Sequence, residues 1–484
     1  MIKTKRKTTI AIVGGGVAGG SAALYFAELG LDVTLFEKES SLVNGPPFCH
    51  LHAGGNLYPE ISDAQCITLL KQSIDFLRVY PNSIDYRPTI IALPAYCTKN
   101  SENLLPRLKK LQDEYRRLIL LDSQNKVLGE ASEYFKLYER SHIEVLKKQA
   151  IVKKPVHSDD WMIPFAKNVD LDSVQFPLIL VQEYGLNLFR VGASISLGLE
   201  KLEGATVKLS TSVTNISKGN SKEEWCVRYE HEGEVKEAHF DYLINAAGFR
   251  TGKIDDMIGA PCEGMVEFKA AYVSLWESAN DTLWPEIVFH GERGTPRGMG
   301  QLTPYPGGYF QLHGMTKDIT LYEDGLVTNT KLSCQPQLGQ DFIEKIEKDW
   351  RSEETQERTQ SAIRHLSKFI PEFSKAKIGS RPLFGAQQIP GDDPTLRVAE
   401  VSFPVEGYAR CEIVKVSSVL DMLDAITKQL INLDFLDPSV QGSRGVKVLH
   451  TLKDTEITDF AQILCKKRAY PIALASRNVS KQTK

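Results

Sequence analysis

An excess of either charge is missing from this sequence: 58 basic residues stand against 61 acidic ones, a formal net charge of -3. That balance creates no long-range field for a polyanion, so nucleic acid is set aside as a partner. Clustered metal ligands are missing too. The eight cysteines, at 49, 66, 97, 226, 262, 334, 411 and 465, form no C-x-x-C pair and have no histidine at zinc-site spacing, so no metal is expected. They read as reduced thiols of a cytosolic protein. Long apolar runs are also absent. The stretch 10–13, behind a basic segment 1–9, is far shorter than a signal core or a membrane span. The expectation is a cytoplasmic protein without a transmembrane segment, with peripheral contact at the inner face of the membrane left open. There is no internal repeat or low-complexity block.

What is present suits a folded chain of several parts. With 484 residues, 42% hydrophobic and 25% charged, two or three interlocked domains are expected. Residues 8–13 (TTIAIV) read as a buried strand, 14–20 as a glycine-rich turn, 21–29 as a buried helix closed by Gly30, and 32–36 as a second strand ending on Glu37. Together they make a βαβ unit. The loop 44–57 (NGPPFCHLHAGGNL) carries His50 and His52, and loops of that length tend to be functional. Peripheral helices are expected over 101–149, a strand at 178–182, a helix at 186–202, and alternating strands at 205–214 and 225–229. A buried strand at 241–245 then runs into Ala246-Ala247-Gly248 and returns the chain to the first domain.

Further strands at 268–275, 286–290, 300–303 and 309–314 suggest a second sheet, with Pro306-Gly307-Gly308 as a hairpin turn. Beyond a helical 340–369, residues 400–403 and a helix opening near Arg410 read as the last return to the nucleotide domain. The end reads as a polar, frayed tail. The expected fold class is α/β, a Rossmann-like nucleotide-binding domain interleaved with an α+β substrate domain on an antiparallel sheet. Its divisions are 1–95, 175–260 and 375–436 for the nucleotide-binding domain, 96–174 for a helical insertion, 261–374 for the substrate domain, and 437–484 for a C-terminal extension and tail.

The loop Gly14-Gly15-Gly16-Val17-Ala18-Gly19 is the most specific feature. G-x-G-x-x-G alone is weak, but here it lies between a strand and a helix, with an acid 18 positions after its last glycine. Gly14 makes the tight turn, Gly16 admits a pyrophosphate to the backbone, and Gly19 lets helix and strand approach, while the helix N-terminus supplies N–H donors. Glu37 is placed to accept from ribose hydroxyls. FAD is favoured over NAD because no second such loop follows and the chain returns to this domain at 245–248.

At this point the sequence resembles the D-amino-acid-oxidase-like (DAO) family of FAD oxidoreductases, which includes amino-acid and hydroxyacid oxidoreductases. The likeness rests on IAIVGGGVAGGSAALYFAELGLDVTLFEKE, on residues 189–216, on INAAG at 244–248 and on SRPLFG at 380–385, in that order. It implies that Val213 meets the adenine through its backbone, that Gly248 lies beside the pyrophosphate, and that Arg381 lies near the flavin. The turn Gly407-Tyr408-Ala409-Arg410 would bring N–H donors and a helix end to the flavin pyrimidine. Lys38 and Ala246 complete the expected cofactor contacts. His52 stands where some amine-oxidising relatives attach the flavin covalently, with a loop histidine that only hydrogen-bonds as the rival reading.

The stretch 290–314 (HGERGTPRGMGQLTPYPGGYFQLHG) is the densest run of candidate site residues, with His290, Arg293, Arg297, Tyr305 and His313. An arginine holds a carboxylate by a two-pronged ion pair, and a histidine takes the proton of a hydroxyl or amine as hydride leaves. The catalytic candidates are His313, Arg297, Tyr305 and Arg410. The resulting expectation is an FAD-dependent oxidoreductase acting on a small carboxylate substrate, a 2-hydroxy acid or an amino acid, with electrons passing to quinone or oxygen. Two other readings stay open: a flavin monooxygenase or flavin-dependent tailoring enzyme, and a non-catalytic binding protein that kept the fold.

Overall fold

A computed structural model describes residues 7–46, 48, 51, 54–55, 61–98, 100–219 and 224–479. Thr9–Val13 (β1) pairs in parallel with Asp32–Phe36 (β2) on one side and with Tyr242–Asn245 on the other. From one edge, the six-stranded sheet runs Val401–Ser402, Tyr408–Cys411, Tyr242–Asn245, β1, β2, Ala205–Lys208. At the centre of the sheet, covered on both faces, β1 and Tyr242–Asn245 are buried almost along their length instead of alternating. The expected α/β class holds.

Val17–Glu28 (α1) connects β1 to β2 and begins four residues earlier than the expected 21–29. Gly19 and Gly20, read from sequence as part of a turn, are helical. A Cβ on Gly19 would stand 1.8 Å from the Gly14 carbonyl oxygen, and one on Gly20 would stand 2.8 Å from Ile195 in the helix Leu188–Leu199. Close packing, against backbone at Gly19 and against the Ile195 side chain at Gly20, is worth more here than helix propensity and explains both glycines. Gly30 ends the helix at φ +90, as expected.

The strand expected over 205–214 is two. Ala205–Lys208 extends the parallel sheet beside β2. The chain then turns through Ser210, at φ +49, into Thr211–Lys218, which starts an antiparallel sheet with Trp225–His231 and Glu234–Phe240.

The second large sheet has nine strands, in the order Leu326–Thr328, Gly264–Leu275, Tyr309–Gly314, Gly300–Pro304, Glu286–Phe289, Thr89–Ala92, Leu178–Val181, Phe135–Tyr138, with Lys377–Pro390 also paired to Gly264–Leu275. Three of these, Thr89–Ala92, Leu178–Val181 and Lys377–Pro390, come from the segments 1–95, 175–260 and 375–436 expected in the nucleotide domain. Phe135–Tyr138 comes from the 96–174 insertion. Composition marks a strand without marking its sheet, so sequence assigned these by proximity. Helices Gln340–Glu347 and Ser352–Ser367 cover the outer face of this sheet. Its inner face looks toward the six-stranded sheet.

Two further expectations are corrected. The helix expected near Arg410 is the strand Tyr408–Cys411, and the helix itself is Val419–Asn432. The C-terminal extension is not frayed through residue 479: the helix Asp454–Lys467 packs on Leu188–Leu199, where buried Arg190 donates to Asp454 Oδ1 at 2.5 Å and to Thr458 Oγ1 at 2.8 Å. Farther on, Val479 N donates to Asp85 Oδ1 at 2.8 Å, and Tyr86 N donates to the Val479 carbonyl at 3.1 Å. The arm is therefore tied into the body of the protein.

Candidate active site

The phosphate loop is held by short-range constraints. Gly14 has φ +103, and a Cβ there would stand 2.4 Å from the Ala246 carbonyl oxygen, so only glycine fits. Gly16, by contrast, has no heavy atom within 4 Å of where a Cβ would be, so its outer side is open. Glu37 accepts from Gly15 N at 2.6 Å and from Glu39 N at 2.8 Å. Burial pushes its carboxyl upward, and those two N–H donors and Lys38 oppose the shift. Its carboxylate thus fixes the loop as well as facing the cleft.

From this loop a cleft of about 600 Å³ runs toward the second sheet. Gly14, Gly16, Glu37, Lys38, Val213, Ala246, Gly248 and Arg381, all expected cofactor contacts, line it together. Gly19 stands behind them in α1. Ala247, Phe249, Arg250, Lys253 and Glu347 close one wall, where Arg250 pairs with Glu347. At the far end, Arg381 lies 5.1 Å from the Phe384 ring and 5.7 Å from the Tyr470 ring. Its Nε has no hydrogen-bond partner among the described residues. A glycine-cradled helix end, an acid after β2, an open Gly16 and an unpartnered guanidinium nitrogen in one cleft fit FAD, whose diphosphate the loop would hold.

Among the lining residues missed from sequence, two belong to the C-terminal arm. Arg468 donates to the carbonyls of Leu42 at 2.7 Å and Val43 at 2.8 Å and to Ser41 Oγ at 3.2 Å, over the Phe189 ring. Val43 N in turn donates to the Gly15 carbonyl at 2.8 Å, so Arg468 braces the segment that braces the phosphate loop. Burial pulls its guanidinium down to about 10. Tyr470 donates to the Pro382 carbonyl at 2.7 Å. Nothing in a polar tail announces such contacts.

Other expected site residues lie elsewhere. Parallel register puts Tyr408 beside Leu243, so Gly407 is at the N-terminal edge of the sheet, where its carbonyl accepts from Trp225 Nε1 at 2.8 Å. Cofactors of open parallel sheets bind at the opposite, C-terminal edge. Tyr408 is fully buried and donates to Asp255 Oδ1 at 2.6 Å. Neither residue lines the cleft; the loop at that edge is 412–415, one strand later. Arg410 pairs with Glu412 at 2.9 Å and with Asp255 at 3.4 Å beside a separate small pocket. Arg297 is exposed, 4.8 Å from the Tyr96 ring, and Tyr305 is buried in the core. His313 does lie on the inner face of the large sheet, its ring 6.3 Å from that of Phe48. His52, the expected flavin attachment point, lies outside the described residues, as does His50.

Residues 9–144 match the family model described as DAO, FAD dependent oxidoreductase. Among solved structures, the glycine oxidase from Geobacillus kaustophilus is 11% identical, with 91% of this chain and 99% of that chain covered at a TM-score of 0.55. The L-amino acid deaminase from Proteus vulgaris is 11% identical, with 91% and 97% covered at 0.57. The L-alpha-glycerophosphate oxidase from Mycoplasma pneumoniae, with FAD bound, is 14% identical, with 88% and 95% covered at 0.55. No curated protein sequence matches. The DAO match is thus confined to the N-terminal part of the chain, while the fold it shares with these solved structures extends over most of its length. Among the described residues no helix is long and apolar enough to cross a membrane, and no group of three His, Cys, Asp or Glu side chains is placed to hold a metal.

Proposed function

We propose that this enzyme oxidises a small acid, a 2-hydroxy acid or an amino acid, and passes the electrons on to quinone or oxygen. The observation that carries the reading is the course of the cleft: it starts at the phosphate loop and ends at Phe384, Gly385 and Ala386, on a strand of the sheet that roofs it. FAD, when bound, supplies the two-electron acceptor. The inner face of the roof supplies polar groups, among them Gln311 and His313 on Tyr309–Gly314 and Gln301 and Thr303 on Gly300–Pro304. His313 is the imidazole on that face, the side-chain type that takes a proton near neutral pH, and we assign it the proton of the substrate hydroxyl or amine. Cationic side chains of the same face hold the carboxylate. Arg297, Tyr305 and Arg410 have no part in this reading.

Anaerobic mixing of the purified flavoprotein with a panel of amino and hydroxy acids tests it, followed by the loss of oxidised-flavin absorbance. A substrate bleaches the flavin directly, and readmitting oxygen or a quinone analogue then identifies the acceptor. If only a reduced nicotinamide bleaches it, the monooxygenase reading replaces this one.

A further inference from the structure

Glu267 and Lys269 are the two charged residues in the otherwise apolar strand Gly264–Leu275. Alternation sends Val266, Phe268, Ala270 and Tyr272 into the outer core under the covering helices. Glu267, Lys269, Ala271 and Val273 take the other face, and the last two join the core that also contains Ile10 and Ile12 of β1. Both charges therefore point toward the nucleotide domain. Register puts Lys269 directly across from Gly385 and Glu267 across from Gln387. Gly385 lines the cleft, and a Cβ on it would stand 2.5 Å from Pro46. The pair is thus one strand away from a lining residue, beside the end of the cofactor cleft.

Three more segments bring charge to the same place. Arg293 donates to Glu267 Oε1 at 2.8 Å, while Lys269 donates to Oε2. Gln387 Nε2 donates to the Val414 carbonyl at 2.6 Å, which fixes the loop that carries Lys415. That loop follows Tyr408–Cys411 at the C-terminal edge of the parallel sheet, where ligands of such sheets bind. Lys415 lies in the electrostatic field of Arg397, Lys269 and Glu267. Arg397 is anchored to the helix Asp63–Val79 by its own N–H, donated to Gln65 Oε1 at 2.8 Å. Among the described residues the cluster is four cations around one carboxylate. Burial first, and then the neighbouring cations, pull both lysines below their ordinary range; Glu267 is pushed up by burial and held low by Lys269 and Arg293, which outweigh it.

An amino-acid zwitterion brings no net charge, and its ammonium would meet this cationic excess. A hydroxy acid with one carboxylate would neutralise one of the cations. Two negative charges relieve the repulsion best and gain most from the partly dry surroundings. We propose that the end of the cleft selects a small dianionic substrate, the anionic group away from its oxidised carbon held by Lys269 and Lys415 with Arg293 and Arg397 around them. The inference rests on the reading of the chain as an oxidoreductase of small acids. Two sources share this chemistry, a phosphate monoester and a second carboxylate.

The test uses the flavin-loaded enzyme and four compounds: lactate with one negative charge, alanine as a zwitterion, malate with two carboxylates, and glycerol 3-phosphate with a phosphate. Malate or glycerol 3-phosphate is expected to reduce the flavin with an apparent affinity roughly tenfold or more above that of lactate and alanine, and the better of the two identifies the source. Lys415→Met and Lys269→Met should cut that preference to about threefold or less with FAD content unchanged. Where either variant loses FAD, Arg293→Gln, at a half-exposed guanidinium, carries the same comparison. Lactate or alanine performing as well as the dianions overturns the inference, as does a preference untouched by the variants. If none of the four reduces the flavin, the proposed function fails, and the dead-end arm decides the site separately. Malonate or inorganic phosphate perturbing the flavin spectrum at concentrations where acetate does not would uphold the anion site; no perturbation would overturn it.

Discussion

The two ends of the cleft are built in opposite ways. At the phosphate end, one stretch of about thirty residues supplies strand, turn, helix and acid, and the ligand-facing groups are backbone. At the roof end, side chains from 267–269, 293, 397 and 415 converge, and each is an ordinary charged residue in its own segment. Backbone sites depend on what is absent, a Cβ, and so resist substitution. Side-chain sites depend on what is present, and they can change specificity while the fold stands.

The largest effect is expected at the phosphate end. In Gly19→Ala the new Cβ would stand 1.8 Å from a backbone oxygen that cannot move without opening the loop. A loss on the order of 3 kcal/mol or more is expected. Thermal unfolding and the FAD content of the purified protein measure it. Normal content and stability would break the contrast between the ends.

Next comes the C-terminal arm, which reinforces the phosphate end from outside the βαβ unit. Arg468→Met removes its hydrogen bonds to Ser41, Leu42 and Val43 and leaves buried carbonyls unpaired. The expected cost is about 2 to 3 kcal/mol of stability, with FAD binding weakened by about tenfold or more. Denaturant titration and fluorescence titration of the apoprotein with FAD read the two effects. An unchanged FAD affinity would reduce the arm to a scaffold.

These contrasts also explain what sequence could carry. Gly14, Gly16, Glu37, Val213, Gly248 and Arg381 were legible because motif spacing encodes local backbone demands, and all line the cleft. The face that His313 takes was legible through the alternation of 309–314. Gly407 and Tyr408 were misplaced by one strand, since nothing in EGYARCEIVK says that YARC pairs in parallel with Tyr242–Asn245. Arg468, Arg397 and Lys415 reach their places through contacts hundreds of residues away in sequence, such as Arg468 with Val43. A weaker signal was available for the roof: in GMVEFKAAYVSL, two charges at alternate positions of an apolar strand mark a face that cannot lie in a dry core.

The roof end should answer to pH where the phosphate end does not. Burial pulls both lysines below the ordinary lysine range, helped at Lys269 by Arg293 and Arg397 and at Lys415 by Arg397 and Lys269, against the single opposing charge of Glu267. A bound anion favours their charged forms, so binding takes up protons. Affinity for malonate should therefore fall as pH rises from neutral into the alkaline range, by up to about tenfold per pH unit for each proton linked. FAD content should stay constant over the same range. Malonate affinity that is flat, or that rises with pH, contradicts the assignment of the lysines.

The smallest effect is expected at Arg297, which the sequence placed among the catalytic candidates. Its side chain is at the surface, stacked 4.8 Å from the Tyr96 ring, and lines neither the cleft nor the cluster around Glu267. Exposed cation–π contacts contribute about 0.5 to 1 kcal/mol, so Arg297→Ala should lower stability by no more than that. The kcat/KM for whichever acid reduces the flavin should stay within about twofold, equivalent to about 0.4 kcal/mol of transition-state binding. A carboxylate anchor would behave otherwise: losing a charged hydrogen-bonded pair costs about 2 kcal/mol or more, roughly thirtyfold in kcat/KM. A fall of that size at Arg297, with Arg293→Gln silent, would move the substrate's charged group from the inner face of the roof to its outer loop.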